Sequence, residues 1–341
     1  MDRELELLQS KLKNAFKYRK GLLEKSPTNA IRLFNGFLEG DPRWVIELFG
    51  NSIVINDNVG QTNDDVDYAK ELIQLYIVWL PSIQSILYKR RSSQDQESKK
   101  GILIYGDQLT DKIQEMGVHH SINLQMNQDS SFYLDTRYLR AWLMENMAGK
   151  LVLNTFAYTG SLGLAALAGS AKKVVQTDLN RKFLEMSHKS CVLNNFPTNK
   201  MKLIVGDFYK VVGNFKTALK LFDCVIIDPP FFSTTAAGKV DLVHESTRLV
   251  NKIRPLVAHN GYLVVVNNAL FLSGKSFIDQ LEELCHDRYM TIETIIPVPQ
   301  DVIGYPETIA TKPPVSPEPF NHSTKIVVLK VKRKDERSAN D

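Results

Sequence analysis

Residues Leu151–Asp178, LVLNTFAYTGSLGLAALAGSAKKVVQTD, decide the fold. The stretch opens on an apolar run, Leu151-Val152-Leu153, of a length that suits a buried strand. A small-residue loop follows, Thr155 to Gly163, and then an Ala- and Leu-rich helical pattern that Gly169 closes. A second apolar run, Val174-Val175, ends in an acid, Asp178. Strand, glycine turn, helix, strand, acid is the first half of a dinucleotide-type parallel sheet. Gly160 and Gly163 would let the backbone approach a ligand closely. Asp178, at the tip of the second strand, offers acceptors to a pair of hydroxyls.

Downstream the alternation continues. Arg181 to Leu193 reads as helix and Met201–Val205 as strand, ending in Gly206-Asp207. Phe208 to Leu219 is helix, and Phe222–Ile227 is strand, ending in Asp228-Pro229-Pro230-Phe231. Leu242 to Ala258 is helix, Gly261 to Val266 strand and Phe277 to Cys285 helix. Met290–Ile295 and Lys325–Val331 are strands separated by a Pro-rich segment, Pro297 to Pro319, without helical pattern. They are expected to pair with each other or with the sheet edge as a hairpin. Alternating β and α implies right-handed parallel crossovers and a crevice at the carboxyl ends of the strands.

Upstream, Glu4 to Glu24 has helical periodicity, with Leu5, Leu8, Leu12, Ala15 and Phe16 on one side. Lys11, Lys13, Lys17, Arg19 and Lys20 form a basic run, read as a solvated face with an RNA-backbone contact as the alternative. Short strands follow: Arg32-Leu33-Phe34, Trp44–Phe49 and Ser52–Ile55, an antiparallel unit by its turn residues. Asp65 to Leu80 is helical and Pro81 stops it. Ile83–Lys89, Ile102–Tyr105 and Ser121–Met126 are further strands. Arg91 to Lys100 is polar and unpatterned, an exposed loop. The expected division is a basic helix (1–26), a small α+β, RNA-facing domain (27–130), an α/β Rossmann-like domain (131–334) and a polar tail (335–341). A helix from Asp135 to Met147 leads into Leu151, so the segment before it can cover the ligand end of the sheet.

With 341 residues and a formal charge of +4, composition sets only a mild lean toward anionic partners. The three cysteines, Cys191, Cys224 and Cys285, lie far apart without metal-ligand spacing, which points to a reducing compartment. The N-terminus has neither signal- nor transit-peptide character, and no apolar run reaches the ~20 residues of a membrane span. The expectation is a cytoplasmic protein without a membrane or metal partner; its oligomeric state is open.

Four strand ends carry the chemistry: the glycine loop, Asp178, Gly206-Asp207 and Asp228-Pro229-Pro230-Phe231. An acid at a strand end is often a helix N-cap, and Asp207 fits that description as well. Tyr158-Thr159-Gly160-Ser161-Leu162-Gly163 offers two glycines where the pyrophosphate fingerprint has three. The expected ligand is a nucleoside without a pyrophosphate, above all S-adenosylmethionine.

In this order and spacing the four ends resemble the class I S-adenosylmethionine-dependent methyltransferases. The likeness is closer still to the ribosomal-RNA large-subunit methyltransferase family, whose members modify 23S rRNA bases. Leu153–Gly160 resembles its LxxFxYTG motif, Phe132–Arg137 its FFLDQR segment, and Asn29–Phe37 with Glu39-Gly40 the entry to its intermediate β domain. The resemblance covers roughly residues 28 to 332; a helical segment stands where many relatives carry a small RNA-binding PUA domain. It implies that Phe156, Tyr158, Thr159 and Gly160 wrap the methionine part of the cofactor, that Asp178 holds the ribose and that Asp207 holds the adenine amine. It places Phe132, Asp135, Arg137, Asn154, Leu179, Gly206, Phe208 and Asp228 around the same ligand. Asp228, Pro229, Pro230 and Phe231 would face a target base, the acid and its neighbouring carbonyl holding an exocyclic amine and the ring stacking.

One departure bears on the acceptor. Methylation at C5 of a pyrimidine needs a thiolate that adds to the ring. The places where the family has it read Pro230-Phe231 and Val266-Asn267-Asn268-Ala269 here, so a base nitrogen is the favoured target and C5 the alternative. A protein or small-molecule methyltransferase, and a non-catalytic RNA-binding or ribosome-assembly protein, stay open as rivals. His119-His120 reads as strand surface, His244, His259 and His286 as helix or turn residues, and His322 as turn-stabilising or crevice-reaching.

Overall fold

The computed structural model describes residues 2–25, 28–60, 64–235, 238–241 and 246–339. In chain order the elements are α1 (Asp2–Lys25), β1 (Ala30–Asn35), α2 (Gly36–Glu39), β2 (Trp44–Phe49), β3 (Ser52–Asp57), α3 (Asp64–Trp79), β4 (Ser85–Arg90), α4 (Gln96–Lys100), β5 (Ile102–Tyr105), β6 (Lys112–Glu115) and β7 (Val118–Ser121). There follow α5 (Arg137–Asn146), β8 (Leu151–Thr155), α6 (Ser161–Ala168), β9 (Lys173–Asp178), α7 (Arg181–Leu193), β10 (Met201–Val205), α8 (Phe208–Thr217), β11 (Phe222–Ile227), β12 (Phe232–Thr235) and β13 (Gly238–Asp241). The chain ends with α9 (Ser246–Ile253), β14 (Val257–Asn267), α10 (Gly274–Cys285), β15 (Met290–Ile296), α11 (Gln300–Ile303) and β16 (Lys325–Val331). Two compact units result: Met1–Asp135 with Pro299–Pro313, and Thr136–Val298 with Pro314–Asp341.

The first unit is built on a five-stranded sheet in the order β1-β2-β3-β4-β5. Its pairs are antiparallel except β3 and β4, which α3 connects by a crossover and which run parallel. Leu8, Leu12 and Ala15 of α1 bury against this sheet in one core with Leu33, Ile46, Ile53 and Tyr76. The basic run of α1 is therefore interrupted. Arg19 is fully buried and grips Glu39 with two bonds of 2.9 Å, while its Nη2 donates to the Asp301 carbonyl at 2.8 Å. Lys11 donates to the Gly40 carbonyl. Arg19 thus belongs to the core rather than to a cationic face, because the stripe of α1 that faces β1 includes it.

Four sequence expectations need correction here. The strand expected at Ser121–Met126 ends at Ser121, because Asn123 Oδ1 accepts the Gln125 N–H and turns the chain. β6 and β7 instead form a hairpin, through Met116 and Gly117 at positive φ. Within Arg91–Lys100 the short helix α4 forms, capped by Asp95 on the Ser98 N–H at 2.7 Å. α9 stops at Ile253 ahead of Pro255, so Ala258 and His259 lie in β14 rather than in a helix; residues 242–245, with His244, fall outside the described residues. The Pro-rich segment holds the four-residue helix α11.

The second unit carries a seven-stranded sheet, β10-β9-β8-β11-β14-β16-β15. The first five strands are parallel, and β16 and β15 are antiparallel, as the expected terminal hairpin on the sheet edge. The strand interiors read as continuous apolar runs because helices cover both faces. Leu153, Val225, Leu263 and Val327 lie in one core with Leu249 and Phe277 from the helices. Chain order reverses between β8 and β11, and at that switch point such sheets open a crevice at their carboxyl ends.

Candidate active site

The loop after β8 begins at Phe156 and ends where α6 starts at Ser161, shorter than the Thr155–Gly163 expected from the sequence. Phe156, Tyr158 and Gly160 all have positive φ, at 53°, 49° and 82°. For two side-chain-bearing residues this is the sparsely populated left-handed region, and surrounding bonds must hold them there. Asp178, the last residue of β9, supplies one: its Oδ2 accepts the Tyr158 N–H at 2.9 Å. Its Oδ1 accepts the Asn180 N–H at 2.9 Å, where α7 begins. Burial pushes the Asp178 carboxyl up from its ordinary value, against the lowering pull of the N–H groups of Asn180, Tyr158 and Leu179. A carboxylate has about four lone-pair sites, so acceptor capacity is left beside these bonds for a ribose hydroxyl. Leu179 next to it is exposed.

The room behind Gly160 of the loop and Gly163 of α6 is taken by the protein itself. A Cβ on Gly160 would sit 2.2 Å from Ser187 Oγ, and one on Gly163 would sit 2.4 Å from Gln176 Cδ. Gln176 is fully buried, accepts from Asn154 Nδ2 at 3.0 Å and donates to Ser187 Oγ at 2.6 Å. Buried amides must be paired, and this chain of three ties β8, β9 and α7 under the loop. Both glycines make way for Gln176 and Ser187, two residues the sequence reading did not single out. A polar residue following Val174-Val175 was the available signal. Asn154 Oδ1, also buried, has no hydrogen-bond partner among the described residues.

At the next strand end Asp207 caps α8, its Oδ1 accepting the N–H groups of Tyr209 at 2.9 Å and Lys210 at 3.3 Å. Gly206 donates its N–H to the Asp178 carbonyl at 2.9 Å, linking the two acid-bearing ends. Phe208 stacks on Phe156 with ring centroids 4.7 Å apart, and Tyr158 meets Phe183 edge-on at 4.5 Å. Asn154, Phe156, Tyr158, Gly160, Asp178, Gly206, Asp207 and Phe208 are thereby drawn into one connected cluster. Thr159 is buried within the loop. Arg137 starts α5 of the same unit, whereas Phe132, packed on the His120 ring at 4.9 Å, and Asp135 belong to the first unit.

After β11, Asp228 is half-buried, Pro229 buried, Pro230 exposed and Phe231 48% exposed. No sulfur stands at this end or at the end of β14. Cys224 lies within β11, level with Val152 and Tyr262 on its neighbours; Cys191 is buried on α7 and Cys285 closes α10. Burial pushes all three thiols up, away from thiolate. Among the histidines, His120 is buried rather than on a strand surface, and His259 in β14 accepts the Arg333 N–H through Nδ1 at 3.1 Å. His322 Nδ1 accepts the Thr324 N–H at 3.0 Å in a turn. Among the described residues no group of three or more His, Cys, Asp or Glu is arranged to hold a metal, and no helix is long and apolar enough to cross a membrane.

Residues 84–287 match the S-adenosylmethionine-dependent methyltransferase family. Ribosomal RNA large subunit methyltransferase I of Aeromonas salmonicida is 32% identical over 149 residues, 43% of this chain and 37% of that protein. Ribosomal RNA large subunit methyltransferase K of Neisseria meningitidis is 29% identical over 214 residues, 60% of this chain and 56% of that protein. The chain thus spans less than two thirds of the length of these relatives. Among solved structures, an S-adenosylmethionine-dependent methyltransferase from Streptococcus mutans superposes with a TM-score of 0.80 at 20% identity, covering 96% of this chain and 81% of that one. A tRNA methyltransferase from M. jannaschii gives 0.56 at 16% identity, covering 96% and 79%. These likenesses are of fold.

Proposed function

Because this chain belongs to the S-adenosylmethionine-dependent methyltransferase family, we propose that it methylates RNA, large-subunit ribosomal RNA first, at a base nitrogen. Its cofactor is S-adenosylmethionine. Support for an RNA substrate comes from the names of the relatives. The nitrogen assignment is carried by one observation: Asp228-Pro229-Pro230-Phe231 leaves β11 with no cysteine at that end or at the end of β14.

The residues fit the cofactor. Asp178 keeps acceptor capacity beside its backbone bonds, and Asn154 Oδ1 is a buried acceptor without a partner among the described residues. In this reading Asp178 holds the ribose hydroxyls and Asp207, with Gly206 and Phe208, the adenine side. Asn154, Phe156, Tyr158, Thr159 and Gly160 line the methionine side, next to Leu179, with Arg137 of the same unit. When bound, S-adenosylmethionine supplies a methyl group on a sulfonium, already activated for displacement. The chain's part is positioning, which by itself lowers such a barrier. Asp228 accepts a hydrogen bond from the acceptor amine and turns its lone pair toward the donor. Pro229 and Pro230 stiffen the turn, and Phe231 stacks on the base. We assign residues 27–130 to RNA contact and 131–334 to methyl transfer, and we read the protein as cytoplasmic.

The acceptor assignment is tested with RNA carrying 5-fluoropyrimidines, which traps C5 enzymes as covalent adducts. Nitrogen chemistry leaves the protein unshifted on a denaturing gel. A stable adduct would return the enzyme to C5 chemistry.

A further inference from the structure

Two neighbouring strands release the chain at the same edge of the parallel sheet. β11 and β14 run level up to Ile227 beside Val265, so Asp228–Phe231 and Asn267–Phe271 emerge side by side. The second exit is anchored from within. Asn267 is fully buried, and its Oδ1 accepts the Ala269 N–H at 2.9 Å. Lys325 lies opposite Asn267 on β16, is equally buried, and donates its Nζ to the Ala269 carbonyl at 2.9 Å and to that of Ser323. Both backbone groups of one buried residue are thus held by buried side chains. On the far side, Leu272 is buried and Ser273 caps α10 through the Ser276 N–H at 3.0 Å.

Between these anchors Leu270 is 43% exposed and Phe271 69% exposed. A slack loop would turn such a ring inward, since full burial of a Phe gains about 1.5–3 kcal/mol. This loop keeps it outward. The apolar patch amounts to one ring and one Leu. A protein partner needs roughly 800 Å² per side, far more than this. One nucleobase matches it, because a base stacks on a lone aromatic whatever its sequence.

We propose that Phe271, flanked by Leu270, is a stacking platform for an unpaired RNA base adjacent to the acceptor, with Lys325 and Asn267 as the residues that hold it in place. The inference rests on the RNA reading above and adds a second aromatic contact that selects single-stranded or looped RNA over duplex.

The test uses the full chain and a short unpaired RNA oligonucleotide, with a fully paired duplex of the same sequence and S-adenosylhomocysteine as separate ligands. Phe271→Ala is expected to weaken oligonucleotide binding about tenfold or more while S-adenosylhomocysteine affinity stays unchanged. Phe271→Trp should retain binding and show indole quenching by the oligonucleotide but not by the duplex. Lys325→Met should lower oligonucleotide affinity in the same direction as Phe271→Ala. Wild-type affinity in Phe271→Ala, or quenching by the duplex equal to that by the oligonucleotide, would overturn the platform alone. Absence of RNA binding by the wild type itself would overturn the RNA reading with it.

Discussion

Tyr158 donates its backbone N–H to Asp178 Oδ2 at 2.9 Å, so the acid at the tip of one strand holds the loop that leaves its neighbour. Tyr158 and Phe156 both sit in the left-handed region, which costs a side-chain-bearing residue about 1–2 kcal/mol. The same carboxylate is the ribose ligand we propose. Loss of Asp178 therefore acts twice, on the ligand and on the loop that receives it.

Asp178→Ala is accordingly expected to weaken S-adenosylhomocysteine binding by more than tenfold, on the scale of a charged hydrogen bond of about 1.5–3 kcal/mol. It should also lower the melting temperature by a few degrees even without ligand. Calorimetric titration and thermal unfolding measure the two effects. Unchanged cofactor affinity in the variant would remove Asp178 from the ribose.

Gly163→Ala is expected to destabilise the protein by about 2–4 kcal/mol, because its methyl group would lie 2.4 Å from the buried Gln176 amide. Gly160→Ala should cost at least as much, meeting Ser187 from a φ of 82°. Pairing Gly163→Ala with Gln176→Ala should recover part of the loss. Urea unfolding of the three variants reads this out, and a Gly163→Ala as stable as the wild type would contradict the packing described.

Much of this was legible in the sequence, and what was not has physical causes. The parallel strands are long apolar runs with acids at their ends, and periodicity exposes both. Asp207 caps α8, as one of its two readings has it, and its adenine role stays part of the proposal. Gln176 escaped notice because a single polar residue in a strand carries no mark of the amide chain it completes. Arg19 looked like part of a charged run, since only the fold brings Glu39, twenty positions away, against it. Asn123 ended a strand by a local side-chain bond that an apolar-polar count does not register. Phe271 gave no sequence signal, because its exposure depends on the bonds by which Asn267 and Lys325 hold Ala269.

Stability should pass through a maximum near pH 10. Burial lowers Lys89 and Lys325 from 10.5 to about 8. Between those values the unfolded chain binds more protons than the folded one, so stability rises with pH, by on the order of 1 kcal/mol per lysine. Burial raises Tyr76 and Tyr88 above 10, so the unfolded chain ionises first and stability falls beyond that point. Urea midpoints from pH 7 to 11 test the shape. Lys89→Met and Lys325→Met should each flatten the rising limb, and a steady fall from pH 8 would contradict the assignment.

Replacing Cys191, Cys224 and Cys285 by Ser or Ala should leave methyl transfer within a few-fold of the wild type. At Cys224, fully buried in β11, a stability loss of about 1–3 kcal/mol accompanies the change, from lost packing in the core. Steady-state rates at saturating cofactor measure this. A single cysteine variant that folds and yet is inactive would point to a covalent mechanism.

Transfer of tritiated methyl from S-adenosylmethionine into total RNA from a strain lacking the gene, followed by nucleoside mass spectrometry, tests the central claim most directly. The expected result is label in ribosomal RNA, on a nucleoside methylated at a base nitrogen. Asp228→Ala should cut that incorporation about 100-fold while S-adenosylhomocysteine affinity stays near the wild-type value. Label in a 5-methylpyrimidine, or full incorporation by Asp228→Ala, would contradict it.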